Sequence, residues 1–147
     1  MAKADAFTSR SSLSASVIFN WKVTNPGFNI IEMQKRKIEF EALRPYFLED
    51  FYPLTGYGDM TGNGIWIAYQ LNRPADESGW VVAFRRQDNT QNEIKVRLRG
   101  LDENHIFILE NQDTHERIEI QGKELAAGLA LKADKPSSSL LIKYWRK

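Results

Sequence analysis

Cysteine is absent from the 147 residues. That excludes disulfides, thiol nucleophiles and zinc sites built on cysteine. It also fits a reducing compartment. Histidine occurs only at His105 and His115, with no HExxH or His-x3-His spacing. No metal centre is therefore expected. The longest apolar runs fall far short of the ~20 residues of a membrane span, so no membrane partner is expected. The opening MAKADAFTSRSSLSASVIF lacks the apolar core of ~7–15 residues that a secretory signal needs, and a cytoplasmic location is the expectation. Charge of one sign is not in excess: 20 basic residues face 19 acidic ones, for a net +1. That balance gives no reason to expect nucleic acid as a partner. The glycine-rich GYGDMTGNG (56–64) precedes a strand-like run and has no helix after it, so it reads as a loop and no cofactor is expected.

What is present is a globular composition, 42% hydrophobic and 27% charged, in a chain long enough for a substantial core. SVIFNW (16–21) reads as a short buried strand, and TNPGFN (24–29) as a turn. Asn29 then stands as an N-cap with Glu32 in the capping-box position. The spacing predicts a helix from Ile30 to Arg44, ended by Pro45. Ile30, Met33, Phe40, Leu43 and Phe47 form its apolar stripe, widened by Ile31, Ile38 and Ala42. Gln34, Lys35, Arg36, Lys37, Glu39 and Glu41 form its polar side. EDFYPLTG (49–56) follows, a link of unusual greasiness.

Beyond Gly56 come seven β-like runs: 65–71, 79–86, 93–99, 105–110, 116–121, 128–132 and 139–145. Polar turn formers separate them at intervals of about 8–12 residues, the pattern of an antiparallel sandwich. EIKVRLR (93–99) alternates apolar and basic residues, as a strand with one wet face does. GKELAAG (122–128) reads as a single helical turn. The expected fold is mainly β, an antiparallel β-sandwich of about seven strands with one N-terminal α-helix.

Catalytic candidates are scarce. The acidic pairs Asp76-Glu77 and Asp102-Glu103 fall in predicted turns, where acids serve the backbone. Glu49-Asp50 lies in the link. Adjacent carboxylates rarely flank a substrate as a glycosidase pair must. Arg85, Arg86, Lys95, Arg97 and Arg99 read as a solvated sheet face. Trp66, Tyr69, Trp80 and Trp145 are the aromatic candidates for stacking on a sugar, with Trp66 and Trp80 named as carbohydrate contacts.

Several stretches in order carry a family resemblance: AFTSRSSLSAS (6–16), NWKV (20–23), RPYFLEDFYPLT (44–55), WIAYQLNRP (66–74), GWVVAFRR (79–86), VRLRGLD (96–102), GKEL (122–125) and SSSLLIKYWRK (137–147). Together they resemble the C-terminal end of glycoside hydrolase family 36, the α-galactosidases of the melibiase type. The resemblance implies that residues 1–55 are the remnant of the end of a (β/α)8 barrel and 56–147 the C-terminal β-sandwich domain. EDFYPLTG would be the joint, with its aromatics buried between the two. A complete barrel takes about 250 residues. The family's two catalytic aspartates lie upstream of the part that matches, so no catalytic residue is carried over. Trp21-Lys22 stands where family members often have Trp-Asp, and Thr8-Ser9 precedes Arg10-Ser11 in place of the usual Phe.

The resemblance implies a non-catalytic C-terminal domain or truncated homologue that supports a catalytic barrel. It would not be an enzyme alone. Its partner would be that barrel or a second copy of itself. The alternative is a stand-alone carbohydrate-binding or protein-interaction sandwich, with α-galactoside sugars as ligands.

Overall fold

A computed structural model describes residues 5–16, 23–56 and 62–147. Residues 17–21 of the expected strand, the Trp21-Lys22 pair and most of the 56–64 loop lie outside the described residues.

The chain is mainly β. Helices α1 (Ala6–Ser11) and α2 (Ile30–Leu43) lead into a 3-10 turn, Arg44–Leu48. Strands β1 (Asp50–Pro53), β2 (Trp66–Arg73), β3 (Ser78–Arg85), β4 (Glu93–Val96), β5 (Ile106–Asn111) and β6 (Arg117–Gln121) follow. Helix α3 (Gly122–Ala127) precedes β7 (Leu129–Lys132) and β8 (Ser138–Arg146). Six strands form one antiparallel sheet in the order β1-β2-β3-β8-β5-β6, and β4 pairs with β7 in a second. All seven expected runs contain strands, and the helical turn at 122–127 is α3.

The larger sheet is apolar on both faces, which explains why β3 is buried along its whole length. Side chains alternate across a strand. Trp66, Ala68, Val81, Ala83, Phe107, Leu109 and Tyr144 therefore face the small sheet and α3, where they meet Val96, Leu98, Leu125, Leu129 and Leu131. Leu71, Trp80, Val82, Phe84 and Leu141 face the other way and pack with Leu43, Tyr46, Phe7 and Phe47. The sandwich is thus covered on its second face by the N-terminal helices.

Three elements differ from the sequence expectation. EDFYPLTG contains an edge strand: β1 pairs with β2 from Asp50↔Asn72 to Pro53↔Tyr69. Proline is tolerated at a sheet edge. Leu54 continues inward onto the main core, whereas Phe51 is 53% exposed and stacks on Tyr69. Helix α1 was not expected from its serine-rich segment. Asp5 caps it by accepting from the Thr8 backbone N–H at 2.8 Å. Finally, α2 turns a mixed face inward. Arg36 is buried along with Leu43, while Ile30, Ile31 and Ile38 stand open.

Candidate functional site

The face of the large sheet that carries the helices holds the features not explained by simple packing. Its anchor is Arg10, 1% exposed. Its guanidinium donates to both oxygens of Asp113 (2.8 and 2.7 Å) and to both oxygens of Glu39 (3.2 and 2.6 Å). One planar fork thereby ties α1, α2 and the β5–β6 turn together, the bidentate geometry that arginine suits. Burial alone would depress the guanidinium pKa, but the bonds to Asp113 and Glu39 outweigh it and hold it above its ordinary value. Arg36 extends the network, with Nη1 2.9 Å from Glu39.

Along the rim, Tyr46 packs edge-on against Trp80, with ring centroids 6.2 Å apart. Its hydroxyl shares a 2.9 Å hydrogen bond with Ser78 and accepts from Arg73 at 2.9 Å. Arg73 also pairs with Asp76 and lies 4.3 Å from the Tyr46 ring centroid. Ser78 donates to Asp76 at 2.6 Å. The bond to Arg73, aided by that from Ser78, holds the Asp76 carboxyl below its usual range.

Beside this cluster opens a groove of about 610 Å³, bounded by Ala42 and Tyr46 on one side and by β8, β5 and β6 on the other. Strand register sets its floor. Arg117 opposes Glu110, Glu110 opposes Lys143, and Lys143 opposes Trp80. Trp145 lies two residues along β8 on the same face. Glu110 accepts from Arg117 at 2.5 Å and from Gln112 at 3.2 Å. Burial pushes its carboxyl pKa up, but Arg117 and Gln112 prevail and hold it below its ordinary value.

The two named sugar contacts are in the interior. Trp66 is 5% exposed, and its Nε1 donates to the Gln91 carbonyl at 2.8 Å. Trp80 is 3% exposed, between β2 and β8. A stacking platform needs an open ring face, and neither indole has one. Both fall on strands whose alternation turns them into the two cores. Tyr69 is shielded by Phe51 at 5.3 Å, and Trp145 is half-buried.

The basic stripe does not form one surface, because β3 and β4 belong to different sheets. Arg85 is buried, donating to the carbonyls of Ala133 (2.8 Å), Asp134 (3.0 Å) and Asn89 (2.9 Å). The acidic turn pairs hold local structure. Glu77 takes a left-handed backbone, φ 50°, and meets His105 and Arg146 at 2.7 Å each. Asp102 accepts from the Asn104 backbone N–H at 2.8 Å. His115 is exposed, 3.8 Å from Glu110. Among the described residues no group of three His, Asp or Glu side chains converges as a metal site. No described helix is long and apolar enough to cross a membrane.

One part of the surface is apolar. Ile30, Ile31 and Ile38 of α2 are 59%, 68% and 65% exposed, Leu48 of the 3-10 turn 82%, and Phe51 of the edge strand 53%. Ile31 and Ile38, two turns apart, stand on one helix stripe.

This fold recurs within a class of sugar-cleaving enzymes. α-Galactosidase AgaA of glycoside hydrolase family 36 from Geobacillus stearothermophilus, a double variant in complex with raffinose, superposes with a TM-score of 0.62 at 22% identity. The match covers 85% of this chain and 17% of that one. A single variant of AgaA in complex with 1-deoxygalactonojirimycin gives the same values. The galactosidase domain of the α-galactosidase–sucrose kinase AgaSK gives 0.55 at 16% identity, covering 80% of this chain and 15% of that one. The chain thus corresponds to about a sixth of these enzymes. No family model matches the sequence, and no curated protein does.

Proposed function

We propose that this chain is the non-catalytic C-terminal portion, or a truncated homologue, of an α-galactosidase-type glycoside hydrolase, and that it supports a catalytic (β/α)8 barrel. The observation that carries this reading is the open apolar side of α2, the 3-10 turn and β1. Large side chains at 53–82% exposure are an unfavourable surface for a free monomer, and such surfaces mark interaction sites. Residues 1–55 would be the last piece of the barrel, anchored on the sandwich by Arg10, and Ile30, Ile31, Ile38, Leu48 and Phe51 would lie against the rest of it. The fold likeness to a sixth of larger GH36 enzymes is in keeping with this.

The role is mechanical. No acid/base or nucleophile is assigned to this chain, and catalysis would belong to the barrel. The alternative of a stand-alone sugar-binding module loses its two leading contacts, since Trp66 and Trp80 are interior. The test is incubation of the purified chain with raffinose. No galactose release is expected. Sustained release that copurifies with the folded chain would overturn the reading.

A further inference from the structure

The groove between the 3-10 turn and the β8–β5–β6 strands is set apart from the isoleucine face, since none of the exposed isoleucines lines it. Four cations line it. Three are answered: Arg73 by Asp76, Arg117 by Glu110 and Arg146 by Glu77. Lys143 is not. Glu110 is its register partner, but that carboxylate is turned to Arg117 and Gln112. Among the described residues Lys143 forms no ion pair. Its Nζ instead stands 5.7 Å from the ring centroids of both Trp80 and Trp145, which holds the ammonium in place.

A second unmet group lies alongside. Trp80 lines the groove, and its Nε1–H is buried without an acceptor. Buried polar atoms without partners are rare and call for an explanation. The group free to meet a ligand is a donor only, an ammonium with three N–H bonds; the Trp80 Nε1–H is enclosed in the interior. A matching ligand must bring acceptors and negative charge. The groove's volume of about 610 Å³ is in the range of small-molecule sites and admits a sugar-sized body.

We propose that this groove binds a small carboxylate-bearing ligand of sugar size, with the carboxylate on Lys143 Nζ. Glu110 serves as a positioning residue: by holding Arg117 it leaves Lys143 free for the ligand. The proposal does not rest on the supporting role given to the chain above.

The experiment is tryptophan fluorescence titration of the full chain with galacturonate and with galactose, which share a ring and differ in the carboxylate. Saturable quenching by galacturonate is expected, weakened by added salt, with no response to galactose. Lys143→Gln should weaken binding about tenfold or more, the loss of one charge-assisted hydrogen bond. Lys147→Gln, at an exposed lysine paired with Glu119, should bind as wild type. The salt dependence is read on the wild-type chain and holds even if Lys143→Gln folds poorly. Absence of a saturable galacturonate response, an equal response to galactose, or insensitivity to salt would overturn the proposal.

Discussion

Arg10 and Asp113 lie 103 positions apart and meet through two parallel hydrogen bonds of 2.8 and 2.7 Å. The same guanidinium grips Glu39. This fastening holds α1 and α2 to the β5–β6 turn, beside the apolar contacts that Phe7, Leu43 and Tyr46 make with the sheet.

Arg10→Met should release that fastening. Removing one partner from a buried ionic cluster costs about 3 kcal/mol, and the low end applies because Asp113 is partly solvated. Urea unfolding would measure the loss. An unchanged midpoint would mean that the helices are held by Phe7, Leu43 and Tyr46 alone.

Ile31→Glu and Ile38→Glu should behave in the opposite way. Both sites are about two-thirds exposed, so each change should stay within about 0.5 kcal/mol in stability. Solubility should rise as the apolar stripe is broken. Thermal melts with light scattering would check both. Strong destabilisation would show that the isoleucines are packed in solution.

Gly79 is a point of close approach. A Cβ there would lie 2.2 Å from the Leu71 carbonyl oxygen and 2.2 Å from the Tyr144 hydroxyl. Gly79→Ala should therefore cost roughly 2 kcal/mol or more by overpacking. Combining it with Tyr144→Phe should recover little, because the ring Cζ, 2.3 Å from that Cβ, stays when the hydroxyl goes. Urea midpoints of the single and double variants would test this.

Tyr144 also predicts an alkaline limit. Burial, above all, pushes its phenol well above the ordinary range, and it does the same to Tyr69. The Tyr144 hydroxyl donates to Asn72 at 2.7 Å and accepts from Gln70 at 2.8 Å. Above about pH 10 the unfolded phenol loses its proton while the folded one keeps it. The unfolded state then binds fewer protons, so stability falls as pH rises. Denaturant midpoints from about pH 8 to about pH 11, a range that spans the phenol's ordinary value, should decline for wild type and decline less steeply for Tyr144→Phe.

Much of the fold was legible because alternation and turn chemistry are local. EIKVRLR and GWVVAFRR announced strands, and Asn29 with Glu32 announced α2. What was missed depended on distant partners. Arg36 reads as a solvent residue until Glu32 and Glu39 close on it in the folded chain. Pro53 obscured the edge strand that β2 completes. Asp5 was the one available sign of α1. The groove was invisible in sequence, because Arg117, Glu110, Lys143 and Trp80 become neighbours only through the register of β6, β5, β8 and β3. Residue type alone offers Trp66 and Trp80 as sugar contacts, and strand parity turns them inward.

The most direct measurement is binding of this chain to a GH36 barrel stripped of its own C-terminal region, by analytical ultracentrifugation. A one-to-one complex is expected, and the Ile31→Glu/Ile38→Glu double variant should abolish it. Absence of a complex, or one the double variant forms equally well, would contradict a supporting role through this face.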